Sequence, residues 1–247
     1  MTTVVVPATP PAPDRALPGL EGALSPEERV ELATAMLKDV LRAVDESGGD
    51  LLLNYPPADR SPAQTEEGTA PEDRLRDIAE TALGSVPRME VQVGETPRAR
   101  IGNAITHLLE SEGVQSAAAV SSVAPLLDRT AIDTAAMRLR SAKMVLGPTP
   151  SGGVFYVGMR EPVDFGSVEP PEFGGYARAG RAAGFGIDRI PTSPIVRTER
   201  DLAQVIAMLE GLRAMDHHVP PHTAGWIDRN GLTVSADGPG ELTIVRA

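Results

Sequence analysis

Two periods of hydrophobic residues alternate along the chain. Residues 1–7 are dominated by β-branched side chains and predict a first strand from Met1 to Pro7, ended by a proline-rich loop from Pro7 to Leu20. Ser25-Pro26-Glu27-Glu28 then supplies an N-cap hydroxyl, a first-turn proline and a capping-box carboxylate, so a helix begins there. Val30, Ala33, Leu37, Val40, Leu41 and Val44 fall on one face of it, Gly48-Gly49 ends it, and the apolar run Asp50–Tyr55 predicts the next strand. Together these segments make a βαβ unit.

The same order repeats downstream. After an acidic, proline-containing loop around 56–70 come a helix near Pro71–Leu83, a strand Met89–Val93, a helix Ala99–Glu112 and a buried strand Ala117–Val120. A further helix starts at Thr130, with Asp133 read as its capping-box partner. The stretch VLGPTPSGGVFYVG, Val145–Gly158, reads as a strand, a tight turn with Gly152-Gly153, and a second strand. Small residues over 174–184 predict a helix, Ile187–Pro191 a short strand, and Thr198-Glu199-Arg200-Asp201 the start of a helix running to about Met215. The tail from Thr223 predicts a hairpin around Asp237-Gly238-Pro239-Gly240. Strands alternating with helices predict an α/β fold, a three-layer α/β/α sandwich on a mostly parallel sheet. Residues 1–215 are expected to form that domain, with 216–247 a small C-terminal appendage packed on it.

Composition narrows the partners. With 34 acidic against 23 basic side chains, the net charge is −11, and the average surface repels nucleic acid and anionic membranes. An anionic ligand must therefore meet local positive groups. Lys38 and Lys143 are the only lysines, a composition expected of a halophilic or GC-rich background. The lack of cysteine excludes disulfides, thiolate catalysis and cysteine-based zinc sites. MTTVVVPATPPAPDR has no basic leader region and too short an apolar run for a signal peptide, and no stretch approaches a membrane span, so a soluble cytoplasmic protein is expected. A homo-oligomer is compatible with these features.

Folds of this class bind ligands beyond the carboxyl ends of their strands. The segments to inspect are therefore Pro7–Leu20, Asn54–Pro57, Gly94–Arg100, Ser121–Pro125, Gly147–Gly153 and Pro191–Thr198. They carry Arg15, Arg98, Arg100 and Arg197 and the hydroxyls of Ser121, Ser122, Thr149 and Ser151, groups suited to a phosphate. No glycine-rich dinucleotide fingerprint follows the first strand and no P-loop is present, which argues against ordinary NAD and ATPase chemistry. The serines lack a nucleophile-elbow context. His107 reads as a structural or surface histidine inside a helix, and His217, His218 and His222 as exposed groups at a helix C-terminus. Gly174-Gly175 and the Gly180–Gly186 run read as close helix packing or a mobile connection.

The order of these segments, anchored on VLGPTPSGGVFYVGM, resembles the LGPxxDGGYYLxGL pattern of a glycosyltransferase-like family with the GT-A nucleotide-sugar fold, distantly related to the phospholactate and molybdopterin guanylyltransferases. SPEERVELATAMLKDVLRAV is similar to that family's first long helix. VQVGETPRARIGNAITHLLESEG is similar to its QxGxxLGERMxxA segment, SVAPLLDRTAIDTAAMRL to SDCPxLxxxxIxxAxxxL, and VRTERDLAQV to VDTPEDLxxL. The resemblance implies a nucleotide over the carboxyl edge of the sheet, with Mg²⁺ or Mn²⁺ bridging its phosphates in active members. With side-chain chemistry, it places Arg15 and Arg100 near phosphate, Gly152 and Gly153 near a sugar or acceptor, and Ser122 near base or ribose; Asn103, Ser151 and Arg197 complete the candidate set.

The departures bear on chemistry. Val123, Ser151 and Arg197 stand where the family pattern has acidic residues, and the basic KAPxPGxxKTRL loop becomes PATPPAPDRALPGL, with Arg15 its only cation. Valine and arginine cannot serve as the oxygen ligands Mg²⁺ requires. Two readings follow: a divergent nucleotidyltransferase or glycosyltransferase-like protein, and a non-catalytic binding or assembly protein that keeps the scaffold. A third, minor reading is a cofactor-independent enzyme with Asp14, Asp128 or His107 as general base.

Overall fold

The computed structural model describes residues 2–57, 70–165, 168, 172–238 and 241–246. The acidic loop expected around 56–70 and the tip of the C-terminal hairpin lie largely outside them. Strands β1 (Thr3–Pro7), β2 (Asp50–Tyr55), β3 (Arg88–Val91), β4 (Ala117–Val120), β5 (Met144–Pro148), β6 (Val154–Met159) and β7 (Ile187–Arg189) form one sheet in the order β3-β2-β1-β4-β6-β5-β7. β1, β2, β3 and β4 pair in parallel, β6 runs antiparallel between β4 and β5, and β7 returns parallel to β5. The VLGPTPSGGVFYVG stretch is the resulting β5–β6 hairpin.

Alternation along each strand fixes what it faces. Val4, Val6, Leu51, Leu53, Ala118, Val120 and Val145 form one core with α1 (Pro26–Glu46), α2 (Pro71–Leu83) and α4 (Arg129–Arg138). Val5, Leu52, Ala117, Ala119, Met144 and Leu146 point the other way, toward α3 (Pro97–Thr106) and α5 (Phe173–Ala182). Gly180 on α5 permits close contact, since an added Cβ would lie 2.8 Å from the Met144 sulfur.

Helix α1 starts as its capping box requires, Ser25 Oγ accepting from the Glu28 amide at 3.2 Å and Glu28 Oε2 from the Ser25 amide at 2.8 Å. It buries more than the single face its periodicity predicts. Leu37, Val40, Leu41 and Val44 face the sheet, whereas Leu32, Ala35 and Met36 pack with α6 (Glu199–Ala214), α7 (Pro221–Arg229) and Leu232.

Helix α7 corrects the expectation of a hairpin beginning at Thr223; only β8 (Leu232–Gly238) and β9 (Glu241–Arg246) form that hairpin. Its signal was local and weak, a first-turn proline with no side-chain cap of its own. The cap comes from α1: the buried Asp39 carboxylate accepts from the amides of His222 at 3.0 Å and Thr223 at 2.7 Å. Trp226 Nε1 donates to Glu31 Oε2 at 3.0 Å, fastening the same helix pair. Two further corrections concern helix ends. Asp128, not Asp133, caps α4, accepting from the Ala131 amide at 2.8 Å, while Asp133 pairs with Arg129 at 3.1 Å. The helix expected to reach Glu112 changes at His107 into a five-residue π turn, His107–Ser111.

The proline-rich loop after β1 is pinned to the rest of the fold by three contacts. Arg74 Nη2 donates to the Pro11 carbonyl at 3.0 Å, and Arg29 Nη2, on a side chain buried in the fold, to that of Pro13 at 3.3 Å. Farther along, Gly19 makes a bridge with Thr198 so close that an added Cβ would lie 2.2 Å from the Arg197 carbonyl oxygen. Gly19→Ala is therefore expected to destabilise the protein by about 1–3 kcal/mol in denaturant unfolding, because the clash is with backbone and cannot be relieved by a rotamer.

Asp39 gives a second expectation. Burial raises its carboxyl pKa from 3.8 and outweighs the opposing hydrogen bonds to Thr223 and His222. The folded state then binds more protons than the unfolded one across the interval from 3.8 to the raised value, so Asp39's contribution to stability falls as pH rises through that interval. Unfolding curves should show the stability of wild type relative to Asp39→Asn decreasing between about pH 4 and pH 7.

Candidate functional site

The carboxyl ends of β1 to β4 open onto a cavity of about 410 Å³. Its walls come from Pro7–Pro11 and Arg15–Leu17 of the first loop, Ala33 and Leu37 of α1, Gln92 after β3, Pro97, Arg100 and Ile101 of α3, and Ser122 and Val123 after β4. That volume lies within the range of small-molecule sites, and the walls are largely apolar with a few polar groups, the usual composition of such sites.

The polar groups are placed by backbone geometry. Gln92, only 8% exposed, extends the sheet: its amide donates to the Tyr55 carbonyl at 2.7 Å and its Nε2 to the Asn54 carbonyl at 2.8 Å. Its Oε1 then accepts from Arg100 Nη1 at 3.3 Å, while Arg100 Nε donates to the Gly94 carbonyl at 3.1 Å. The guanidinium plane is thereby fixed at the rim of the first turn of α3. Arg15 also lines the cavity, its Nε and Nη1 shut off from solvent and without a hydrogen-bond partner. Such sequestered cationic donors are costly unless an acceptor meets them.

Three of the sequence-predicted residues, Arg15, Arg100 and Ser122, line this one cavity. The others do not. Ser151, Gly152 and Gly153 form a turn on the same sheet edge whose polar groups are met locally. Thr149 Oγ1 accepts from the Gly153 amide at 2.8 Å and lies 3.1 Å from Ser151 Oγ, Gly152 occupies the left-handed region at φ 88°, and its carbonyl accepts from the Phe173 amide at 2.9 Å. Asn103 Nδ2 donates to the Val93 carbonyl at 2.8 Å and lines a separate hollow of about 270 Å³ with Asp164 and Phe165. Arg197 is exposed outside the cavity, its amide donating to Asp201 Oδ2 at 3.1 Å. Gln92 was missed by sequence reasoning. A lone glutamine after a strand carries no motif, and its position beside Arg100 is set by pairing with Asn54 and Tyr55.

A divalent ion implied by the resemblance can be tested against the donor set. Among the described residues, no carboxylate lines the cavity. Val123 and Arg197 are brought together, the Val196 amide donating to the Val123 carbonyl at 2.9 Å, and neither offers an anionic oxygen. Asp201, the nearby acid in sequence, spends Oδ2 on the amides of Arg197 and Thr198 and on the Thr198 hydroxyl. Asp128 is the α4 cap. One cluster of metal-ligating groups occurs among the described residues, Glu90, His107 and Glu112, and none of the three lines the cavity. Arg88 already binds both of its carboxylates, and the hydrogen bond from Arg88 holds Glu112 below the usual carboxylate range. The described residues do not fit a divalent ion at the strand ends.

A larger cavity of about 610 Å³ lies between α1, α4 and the end of α6. Its charged groups are spent within the fold: Asp39 and Asp128 cap helices, Arg42 pairs with Glu46 at 3.1 Å, and Arg129 with Asp133. Chemistry therefore favours the smaller cavity, where guanidinium donors lack acceptors.

No protein-family model and no curated protein sequence matches the chain. Its fold is similar to the crystal structure of a protein described as a nucleotide-diphospho-sugar transferase from Desulfovibrio desulfuricans, at 16% identity over 93% of this chain and 96% of that one, with a TM-score of 0.74. A second similar structure is the 4-diphosphocytidyl-2C-methyl-D-erythritol synthase of Anaerococcus prevotii, at 13% identity over 85% and 98% of the two chains and a TM-score of 0.52. At such identities the likeness speaks for architecture and not for activity. The architecture is the nucleotide-diphospho-sugar transferase fold, with a mostly parallel seven-stranded sheet, helices around it and a small antiparallel hairpin.

Proposed function

We propose that this chain is a divergent member of the nucleotidyltransferase-like or glycosyltransferase-like proteins and binds a nucleotide or nucleotide-sugar in the strand-end cavity. The observation that carries the reading is the convergence of Arg15, Arg100 and Ser122, from three separate loops, on one cavity of about 410 Å³. Two guanidinium groups suit phosphate oxygens, and the apolar walls of Ala33, Leu37 and Ile101 suit the flat face of a base. Transferase activity named for the structural neighbours agrees with this use of the fold. The β5–β6 turn with Gly152 and Gly153 stands on the same edge, where a sugar or acceptor would extend.

A second reading, binding without transfer, is favoured by the lack of a carboxylate among the described residues that line the cavity. Transfer chemistry in this fold must neutralise a leaving diphosphate, and the cavity offers only fixed cations for that purpose. The two readings separate on turnover: release of pyrophosphate or nucleoside diphosphate from a bound nucleotide or nucleotide-sugar supports transfer, and binding without release supports the second.

Binding itself is tested by thermal unfolding with GTP, CTP, UTP and UDP-sugars. The nucleotide that fits should raise Tm by about 5–10 °C at a hundredfold excess over its Kd. Arg100→Met should at least halve that shift, whereas Arg129→Met, in the larger cavity, should leave it unchanged. A shift insensitive to Arg100 would place the ligand elsewhere.

A further inference from the structure

Resting on that reading, we infer that the cavity binds the phosphate groups of its ligand through Arg15 and Arg100 directly, without a divalent cation. In this fold a bridging ion needs carboxylate oxygens to hold it, and among the described residues the cavity has none. What it has instead is an unmet cation. Arg15 Nε and Nη1 are sequestered and unpartnered, and Arg100 lines the same cavity from α3 with its plane held by Gly94 and Gln92. A divalent ion entering a cavity lined by two guanidinium groups would be repelled by both, whereas a diphosphate offers anionic oxygens to both. Arginine also presents a planar fork that can take two phosphate oxygens at once. The ligand class is accordingly a phosphate monoester or diphosphate bound as its free anion, not as its magnesium complex.

The chain's overall charge strengthens the inference. At a net −11, the long-range field disfavours anions, so an anion site requires cations at contact range. Arg29 and Arg74, the other guanidinium groups near this loop, are engaged with the carbonyls of Pro13 and Pro11, and Arg29 also with Glu21 at 3.1 Å. They hold the loop. Arg15 is the cation of that loop without a partner.

The experiment is isothermal titration of the full chain with inorganic pyrophosphate and with the nucleoside diphosphate of the base selected in the thermal assay. Each is run in EDTA and again with excess Mg²⁺ or Mn²⁺. The expected result is binding in EDTA that is unchanged or weaker with Mg²⁺, which competes for the free anion. Arg15→Gln should weaken binding about ten- to hundredfold, and Arg15→Lys by less, because it keeps the charge and loses the fork. The unliganded Arg15→Gln protein should have a Tm at or above that of the wild type, since no partner of Nε or Nη1 is lost and an unmet buried charge is removed. Binding that appears only with a divalent ion overturns the inference and leaves nucleotide binding standing. Binding in EDTA that Arg15→Gln does not weaken also overturns it. No binding under either condition overturns both the inference and the proposed function.

Discussion

Prolines have no amide hydrogen, so a loop rich in them runs short of donors for its own carbonyls, and it must borrow some from elsewhere. The loop after β1 borrows them from arginines on two helices, Arg29 of α1 and Arg74 of α2, which reach the carbonyls of Pro13 and Pro11. Those two bonds decide where one wall of the strand-end cavity stands. Gly19, pressed against the backbone at Arg197, then ties the far end of the loop to the segment before α6. The loop contains no lysine; helix-borne guanidinium groups shape it, and Arg15 is left without a partner.

The division of labour among the arginines reconciles an acidic chain with an anion site. Most guanidinium groups answer a local acid or a carbonyl: Arg213 pairs with Asp228 at 2.7 Å, Arg138 with Asp188 at 2.7 Å, and Arg246 with Glu28 at 2.8 Å. Such surface pairs contribute little stability each and leave the average field negative. A cation withheld from pairing inside an apolar cavity acts on a much shorter range and through a lower dielectric. On the proposed reading, selectivity for an anion is a property of one cavity and not of the surface.

Much of the fold was legible because its determinants are local. The alternation of β-branched strands with capped amphipathic helices announced the parallel sheet, and Thr198 with Asp201 announced α6 by a capping box that the structure contains. What escaped were elements fixed from far away in sequence. Helix α7 is capped by Asp39, more than 180 residues earlier, so only a first-turn proline marks its start locally. In the site, Arg15, Arg100 and Ser122 were legible since loops following parallel strands must share one edge. The turn at Ser151, Gly152 and Gly153 misled because a glycine pair signals an open backbone equally whether it meets a ligand or, as here, Thr149 and Phe173. Gln92 was invisible because its role comes from the sheet edge it extends.

Helix α1 connects these observations. It packs on the sheet with one face and on α6 and α7 with another, lends Ala33 and Leu37 to the cavity and Asp39 to α7. Its exposed positions are confined to its ends: Pro26, Glu27 and Glu31 near the start, Asp45 and Glu46 near the finish. Between Leu32 and Val44 no residue is exposed. A helix with a fully exposed side can roll or slide to absorb a change of volume on the other; here solvent reaches the middle of α1 only at the half-buried Ala33, Thr34, Lys38 and Arg42. Change at its buried positions is thereby felt on the sheet and on α6 and α7 together, whereas the loops around the strand-end cavity can vary without disturbing that packing.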